Sequence, residues 1–221
     1  MKNARIVKDG LYEQVARIGK VFSSPKRLEL IELLCQNEKT VEMLAREASI
    51  SVKLASAHLR ELRMAHLVET ERSGKNIYYR LADRSIADLW VRVHTLAENR
   101  LVDLQSALQK IAAKPGDLVA NDRESLLKAA RKGEVVVLDV RPADEYLAAH
   151  LPYARSIPLQ ELRQRLSELP KERTIVAYCR GPYCLMAKDA VDLLRKDGYA
   201  ALHLREGVAE WAAAGRMLAQ A

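Results

Sequence analysis

The sequence predicts two domains, a mainly α-helical winged helix-turn-helix followed by an α/β domain with a central parallel sheet. In residues 1–113, apolar residues recur at helical spacing, and a β-hairpin pattern follows two short helices. In residues 121–221, short and almost wholly apolar runs alternate with amphipathic segments, as in a buried parallel sheet with helical crossovers. Lys114-Pro115-Gly116-Asp117 interrupts both patterns, so residues 114–120 are predicted to form a linker.

Two helices are predicted before residue 36. The apolar residues that mark the first one are Leu11, Val15, Ile18, Val21 and Phe22. Ser24-Pro25 then supplies an N-cap residue and a proline at the first helical position. The apolar residues of the second helix are Leu28, Leu30, Ile31, Leu33 and Leu34. Cys35 follows at its end.

A helix-turn-helix with a wing is predicted for residues 40–81. Thr40 and Ser51 each precede a short helical pattern, and Ser49-Ile50-Ser51 forms the tight turn between the two helices. After Leu67 the pattern becomes extended, with Ser73-Gly74-Lys75-Asn76 as the turn of a hairpin. A hairpin directly after a helix-turn-helix is expected to be a wing.

One long helix is predicted to end the first domain. Its apolar stripe consists of Ile86, Leu89, Val93, Leu96, Leu104, Leu108 and Ile111. Arg100 occupies one position of this stripe, and the apolar Leu101 follows it. A helix of about 26 residues would be about 39 Å long at 1.5 Å per residue. A stripe of that length on a small domain requires a partner helix. We therefore predict a homodimer that forms through the helix Ile86–Ile111 and the N-terminal helix.

The charge distribution indicates a polyanionic partner for the first half. The formal net charge is +7, and residues 1–115 hold +6 of it. Three cysteines, an odd number, argue against a disulfide framework and suit a reducing compartment. The sequence shows neither a membrane span nor a signal peptide. We therefore expect a cytoplasmic protein that does not associate with a membrane.

The second helix of the helix-turn-helix is expected to enter the major groove of double-stranded DNA. Residues near its N-terminal end would contact base edges, and basic residues elsewhere would contact phosphates. The candidates are Val52, Lys53 and Ser56 for base edges, His58, Arg60 and Arg63 for phosphates, and Arg72 and Lys75 at the tip of the wing. The alternative is that these charges only form a solvated face.

Residues 10–112 resemble the ArsR-type winged-helix repressors. The resemblance is carried by the segment from Ser51 to Leu62, by Leu67-Val68 and by the hairpin that ends Ile77-Tyr78-Tyr79-Arg80-Leu81. It implies a repressor that binds operator DNA as a homodimer and releases it when an inducer, often a metal ion, binds.

The metal patterns of that family are not met here. The Cys-x-Cys of the arsenic sensors is replaced by Thr40-Val41-Glu42-Met43-Leu44. Asp88, His94, Glu98 and Asp103 do not have the spacing of the zinc-sensing pattern, and the simpler interpretation is that they are solvated. We predict no metal site and no cofactor.

The second half has the pattern of a doubly covered parallel sheet. The segments Glu134–Arg141 and Arg173–Tyr178 are predicted to form strands buried on both faces. The predicted helices that alternate with them are Ser125–Arg131, Ala143–Ala149, Leu159–Leu166 and Leu185–Lys196. Function is expected at the carboxyl ends of the strands.

The second strand ends in Tyr178-Cys179-Arg180-Gly181-Pro182-Tyr183-Cys184-Leu185, and a helix follows. Cys179 therefore lies in a strand-to-helix turn, where the helix dipole, free N–H groups and Arg180 favour an anion. Such a site lowers the pKa of a thiol and makes it nucleophilic. Gly181 allows a close approach of the backbone to a bound anion, whereas Pro182 provides no N–H.

Residues 118–216 resemble a single rhodanese domain. The residues that carry the resemblance are Leu138-Asp139-Val140-Arg141, Glu145-Tyr146, His150-Leu151-Pro152-Tyr153-Ala154, Ile157-Pro158, Tyr178-Cys179-Arg180-Gly181 and Glu206-Gly207-Val208-Ala209-Glu210-Trp211. The resemblance implies that Cys179 takes sulfane sulfur from a donor such as thiosulfate or polysulfide, holds it as a persulfide, and passes it to a nucleophile.

The resemblance also implies roles for the neighbours of Cys179. The loop that would cradle the persulfide, mainly through backbone amides, contains Arg180, Gly181, Tyr183, Cys184 and Leu185. Asp139 and Arg141 would be structural supports, and Gly207 and Trp211 would contribute to packing. The loop lacks the arginine that ends the longer loop of a related phosphatase branch, which argues against phosphate ester hydrolysis.

Cys184 and Cys35 each have two interpretations. Cys184 departs from the rhodanese pattern and either attacks the persulfide on Cys179, releasing sulfide, or only packs in the first helical turn. Cys35 lies where a persulfide-sensing branch of the ArsR family has a reactive cysteine, but the partner cysteine on the last helix is missing. It is then either a redox partner or a small buried hydrophobe, and the second is favoured.

The combined pattern predicts a transcriptional repressor in which persulfide formation on Cys179 couples reactive sulfur species to operator binding. The alternative is a thiosulfate or persulfide sulfurtransferase in which the winged helix is mainly a platform for dimerisation or localisation. A third, weaker alternative is an arsenic- or metal-responsive repressor with an accessory thiol domain.

Overall fold

The computed structural model describes residues 2–111 and 123–220. The chain forms two compact units, Met1–Trp90 and Val91–Ala221. The boundary between them falls inside the helix Arg84–Arg100. The predicted linker, residues 114–120, lies outside the described residues. Within the described residues, no helix is long and apolar enough to cross a membrane.

Four helices begin the first unit as predicted: α1 (Lys2–Phe22), α2 (Pro25–Leu34), α3 (Val41–Glu47) and α4 (Val52–Met64). Thr40 and Ser51 are the N-caps of α3 and α4, because their hydroxyl oxygens accept hydrogen bonds from the N–H groups of Met43 and Leu54 at 3.4 and 3.2 Å. Ser24 occupies the N-cap position of α2 without such a side-chain bond.

A three-stranded antiparallel sheet completes the winged helix. The strands β1 (Lys39–Thr40), β2 (Val68–Ser73) and β3 (Asn76–Leu81) lie in the order β1-β3-β2. The hairpin of β2 and β3 is the predicted wing, and Gly74 takes a φ of +60° in its two-residue turn. The strand β1 was not predicted, because two residues are too short to show a periodic pattern.

The buried face of α4 determines which of its residues remain outside. Ala55, Leu59 and Leu62 are inaccessible to solvent and are spaced at helical intervals. They belong to a core of apolar side chains from α2, α3 and α4 that includes Leu30, Ile31, Leu34 and Leu44. The opposite side of α4 is therefore left exposed.

The structure corrects the prediction of one continuous helix from Ile86 to Ile111. Two helices, α5 (Arg84–Arg100) and α6 (Val102–Ile111), are separated at Leu101. The carbonyl oxygen of Glu98 accepts a hydrogen bond of 2.7 Å from the side-chain amide of Gln105. A side chain that enters the backbone ladder in this way is a recognised cause of a break.

The second unit contains a parallel four-stranded sheet between helices. Its helices are α7 (Arg123–Arg131), α8 (Ala143–Ala148), α9 (Leu159–Leu162), α10 (Met186–Lys196) and α11 (Val208–Ala213), with a 3-10 helix at Leu166–Glu168. Its strands are β4 (Val135–Asp139), β5 (Arg155–Ser156), β6 (Thr174–Tyr178) and β7 (Ala201–His203), in the order β5-β4-β6-β7. The two predicted strands form the centre of the sheet, and the short edge strands β5 and β7 were not predicted.

Alternate residues of the central strands enter two different cores. On β6, Ile175 and Ala177 pack in one apolar cluster, whereas Val176 and Tyr178 pack in the other. Because successive side chains of a strand point to opposite faces, a sheet covered on both faces requires an apolar residue at every position. This explains the continuous apolar runs in the sequence. The carboxyl end of β6 leads directly to Cys179.

Candidate functional site

The predicted nucleophile lies at the carboxyl end of β6, and α10 begins seven residues after it. We refer to residues 179–185 as the thiol loop. Cys179 is buried, with 1% of its surface exposed, and its sulfur lies 3.3 Å from the carbonyl oxygen of Cys184. Cys184 is half-buried, and neither cysteine is in a disulfide. The loop therefore brings two reduced thiols together at the end of the central strand.

The pKa values of the two thiols are shifted in opposite directions. Burial raises the pKa of Cys179 well above its ordinary value, and the nearby Cys184 adds to this, although the N–H groups of Gly181 and Ala187 hydrogen bond to its sulfur. A hydrogen bond from Cys179 lowers the pKa of Cys184 to about 7, with help from the amide of Met186. The lowered pKa expected for Cys179 thus belongs to Cys184, because Cys179 is the more deeply buried thiol.

The amides that face the sulfur atoms only partly coincide with the predicted cradle. Gly181 and Arg180 contribute N–H groups, as the loop pattern suggested. The other two amides come from Met186 and Ala187, in the first turn of α10, and were not predicted. A sequence signal for them existed, because the first N–H groups of a helix have no partner within the helix.

Arg180 is directed toward a buried carboxylate. Its Nε lies 3.0 Å from both oxygens of Glu145, a residue of α8 with no solvent exposure. The predicted contribution of Arg180 as a free cation is therefore reduced by this ion pair, and the pair anchors the thiol loop to α8. Glu145 was part of the rhodanese pattern but had been given no role.

Asp139 and Arg141 form the buried support that the rhodanese resemblance implies. Nη2 of Arg141 lies 2.6 Å from Oδ2 of Asp139 and donates a 2.7 Å hydrogen bond to the carbonyl oxygen of Ala149. The hydroxyl of Tyr178 donates to the same Asp139 oxygen at 2.5 Å. This network joins the ends of β4 and β6, one residue before Cys179.

The backbone of the thiol loop passes directly over Gly207. A Cβ at Gly207 would lie 2.7 Å from the carbonyl oxygen of Cys179 and closer still to that of Arg180. Glu210 accepts a 2.7 Å hydrogen bond from the N–H of Gly207, and its carboxylate also lies against Gly181. Glu210 had been given no role, although its position three residues after Gly207 has the spacing of a capping box.

The polar residues considered for a metal site in the sequence are not all solvated. His94 is 5% exposed, contrary to the expectation, whereas Asp103 is exposed. Asp88 is half-buried and lies 3.9 Å from Arg84. Within residues 2–111 and 123–220, no group of three or more His, Cys, Asp or Glu side chains could hold a metal ion.

The DNA-binding candidates on α4 mostly share one exposed side of the helix. At about 100° per residue, five of them fall within an arc of about 100°. These are Val52, Lys53, Ser56, Arg60 and Arg63, and all five are exposed. His58 lies on a different side and is half-buried, where burial and the charge of Arg27 lower its pKa. Both effects weaken His58 as a cationic phosphate contact.

The two candidates in the wing are exposed, and Arg72 donates a 3.3 Å hydrogen bond to the carbonyl oxygen of Gly74 at the turn. Lys75 occupies the turn itself.

Cys35 is half-buried at the C-cap of α2 and belongs to the first unit, whereas Cys179 and Cys184 belong to the second. Within the second unit, the thiol loop thus brings Cys179 and Cys184 together.

Two protein families match separate parts of the chain. The family described as "Bacterial regulatory protein, arsR family" matches residues 24–70, which contain the helix-turn-helix. The family described as "Rhodanese-like domain" matches residues 122–214, which contain the thiol loop and Gly207.

Known relatives match either the whole chain or one part of it. The HTH-type transcriptional regulator Rv0324 of Mycobacterium tuberculosis is 42% identical over 208 residues, covering 94% of this chain and 91% of the regulator. A sulfurtransferase of Allochromatium vinosum is 34% identical over 96 residues, covering 42% of this chain and 88% of that protein. The structure of the homodimeric winged helix-turn-helix DNA-binding domain of Mb0332 from Mycobacterium bovis is 38% identical, with a TM-score of 0.41, and covers 42% of this chain and 87% of that one.

Proposed function

Because the chain belongs to the ArsR family of transcriptional regulators and carries a rhodanese domain at its C-terminal end, we propose that it is a repressor controlled by sulfane sulfur. Cys179 takes up the sulfur atom as a persulfide, and this change weakens the binding of the protein to its operator DNA. The observation that carries the proposal is the pair of reduced thiols, Cys179 and Cys184, held together in the thiol loop. Because its target is chromosomal DNA, we expect it to act in the cytoplasm.

The arrangement of the thiols suggests how Cys179 is activated. Near pH 7 about half of the Cys184 thiols are ionised, because the pKa of Cys184 is lowered to about 7, whereas Cys179 stays protonated because its pKa is raised. The Cys184 thiolate accepts the proton of Cys179, and the Cys179 thiolate then attacks the outer sulfur of thiosulfate or an internal sulfur of a polysulfide. With thiosulfate, the S–S bond breaks, sulfite leaves with the bonding electrons, and a persulfide remains on Cys179.

Cys184 can then complete the reaction. The sulfur of Cys184 attacks the inner sulfur of the Cys179 persulfide and forms the Cys179–Cys184 disulfide, and sulfide leaves with the electrons of the broken S–S bond and the proton that Cys184 had accepted. No further oxidant is needed, because the sulfane sulfur is itself the atom reduced. In this proposal the other thiol, Cys35, has no part in sulfur uptake.

Binding to DNA would use the exposed face of α4 together with Arg72 and Lys75 of the wing. A homodimer would present two such faces to a palindromic operator. Exposed apolar side chains support dimerisation through α1, where Leu11 and Val15 are 64% and 70% exposed. On the helices that follow the wing, Leu96 and Val102 are 60% and 71% exposed.

The proposal is tested by fluorescence anisotropy with the DNA upstream of the protein's own coding region, at fixed salt. The reduced full-length protein is compared with protein treated with inorganic polysulfide, and the Cys179→Ser and Cys35→Ser variants are measured alongside. We expect at least a tenfold loss of affinity, about 1.4 kcal/mol, for the wild type and for Cys35→Ser, but not for Cys179→Ser. An equal response of Cys179→Ser and wild type would overturn the proposal.

A second candidate function is favoured by the similarity to the sulfurtransferase of Allochromatium vinosum. In that case the rhodanese domain turns over as an enzyme, and the winged helix serves mainly as a platform for dimerisation or localisation. Sustained turnover with thiosulfate and a thiol acceptor, together with an absence of operator selectivity, would favour this second function over the first.

A further inference from the structure

Helix α5 supplies two polar side chains that contact the thiol loop. The ring of Tyr183 meets the imidazole of His94 edge to face, with 5.7 Å between ring centroids. The hydroxyl of Tyr183 also hydrogen bonds to the carboxylate of Glu98, one helical turn after His94. Tyr183 is therefore held at its ring and at its hydroxyl by the same helix.

The contacts of α5 continue to the carboxylate beneath the loop. Nε2 of His94 lies 3.2 Å from Glu210, whose carboxylate lies against Gly181 and accepts the N–H of Gly207. Nδ1 of His94 lies 3.5 Å from Glu98. The cluster around His94 thus reaches the thiol loop at two points, Tyr183 and Gly181.

The charges of this cluster balance one another. Burial acts to lower the pKa of His94, but the hydrogen bonds with Glu210 and Glu98 outweigh it and raise the pKa to about 9. Arg205, 3.5 Å from Glu98, adds a second positive charge. Near pH 7 the imidazolium of His94 and the guanidinium of Arg205 therefore face the carboxylates of Glu98 and Glu210. Hydrogen bonds between charged groups fix the relative orientation of the side chains, which an apolar contact does not do.

The same helix begins in the first unit. Ile86 and Trp90 are buried, and with His94 they occupy one side of α5 at intervals of four residues. The helix that contacts Tyr183 and Glu210 thus begins in the first unit and continues into the second.

We propose that His94 and Glu98 are positioning residues for the thiol loop, so that α5 belongs structurally to the sulfur site. The proposal deepens the function proposed above and rests on it for its regulatory consequence. Sulfur uptake that displaces Tyr183 or Gly181 changes the contacts of His94 and hence the state of α5. By thermodynamic reciprocity, operator binding changes the affinity of the loop for sulfur by the same factor.

The positioning role is tested on the full chain without DNA. Alkylation of Cys179 and Cys184 by iodoacetamide is followed from pH 5 to pH 10, with each site resolved by mass spectrometry. The variants are His94→Asn, Glu98→Gln and Tyr183→Phe, and the control is Thr95→Ala, an exposed position on the same helix. Tyr183→Phe removes one hydroxyl, so it keeps the test valid if His94→Asn folds poorly.

We expect the three loop-contact variants to alkylate Cys179 at least threefold faster, because a loosened loop exposes it. The pH at which the alkylation rate of Cys184 reaches half of its maximum should rise toward the ordinary thiol pKa, since the hydrogen bonds of Cys184 depend on the geometry of the loop. The pH profile of alkylation for Thr95→Ala should match that of the wild type. Rates and inflections that match the wild type in both His94→Asn and Tyr183→Phe would overturn the proposal.

A DNA-binding experiment separates this proposal from the function on which it rests. After polysulfide treatment, His94→Asn is expected to take up sulfur at Cys179 and to release sulfide as the wild type does, but to keep the DNA affinity of its reduced form. If the wild type itself shows no sulfur-dependent change, the proposed repressor function fails, and the alkylation data still decide the positioning role. If His94→Asn responds as the wild type does, transmission through His94 is wrong.

Discussion

Arg180 and Glu145 form an ion pair across the second unit, with Nε of Arg180 3.0 Å from both carboxylate oxygens. Glu145 has no solvent exposure and lies on α8, 35 residues before Arg180. The residue next to the nucleophile is thereby tied to helix α8. The loop conformation thus depends on a buried charge pair that is distant along the chain.

The first prediction concerns this ion pair. Glu145→Ala should lower the free energy of unfolding by about 3–5 kcal/mol, because it leaves the largely buried guanidinium of Arg180 without a counter-charge. Urea denaturation followed by tryptophan fluorescence measures the loss. Glu124→Ala removes an exposed carboxylate from α7 and should cost less than about 1 kcal/mol. Equal effects of the two substitutions would contradict the importance of the buried pair.

The second prediction concerns the passage of the loop over Gly207. In Gly207→Ala, the added methyl group meets the carbonyl oxygens of Cys179 and Arg180, so the loop must move. We expect destabilisation of about 1–3 kcal/mol and a clear loss of sulfur uptake, measured after thiosulfate treatment as the Cys179–Cys184 disulfide formed and the sulfide released. Gly19→Ala is the matched control, because no heavy atom lies near a Cβ at that position of α1. Normal sulfur uptake by Gly207→Ala would show that the close approach is unimportant.

The third prediction separates the two thiols. Cys184→Ser should accumulate the Cys179 persulfide and release little sulfide, because it lacks the thiolate that forms the disulfide. The wild type and Cys35→Ser should release sulfide and end as the Cys179–Cys184 disulfide. Sulfide release by the methylene blue reaction and intact mass measure the two outcomes. Undiminished sulfide release by Cys184→Ser would leave Cys184 as a packing residue.

The fourth prediction concerns the exposed side of α4. Arg60→Ala should weaken binding to specific and non-specific DNA alike and reduce the salt dependence of binding by about one unit of slope, as expected for one lost phosphate contact. The measurement is DNA affinity at several salt concentrations. Arg163→Ala, an exposed arginine of the second unit, should leave the slope unchanged. An unchanged slope in Arg60→Ala would place Arg60 outside the interface.

The fifth prediction concerns the pH dependence of stability. His94 has a folded-state pKa of about 9 against an ordinary value of 6.5, so its contribution to stability is complete below about pH 6.5 and is lost as the pH rises through 9. The difference in free energy of unfolding between wild type and His94→Asn should therefore shrink between pH 6.5 and 10. Urea denaturation at a series of pH values measures it. A difference independent of pH would mean that the imidazole is neutral in the folded protein.

Local patterns sufficed to predict much of the fold. The hydroxyls of Thr40 and Ser51 cap helices as predicted, and the apolar runs around Val137 and Val176 form the central strands. These features depend on neighbours within a few residues, so the sequence displays them directly. The break at Leu101 was not predictable, because the apolar spacing continues across it while the side chain of Gln105 alters the hydrogen bonding.

The sequence by itself determined the two domain types and the position of Cys179 at the end of a strand. The tertiary structure decided which thiol is the more acidic, where Arg180 is directed, and that His94 is buried between two carboxylates. The physical reason is that burial and pairing of charges depend on residues far apart in the chain. His94 and Glu210, 116 residues apart, show this most clearly, because neither position has a local pattern that indicates its partner.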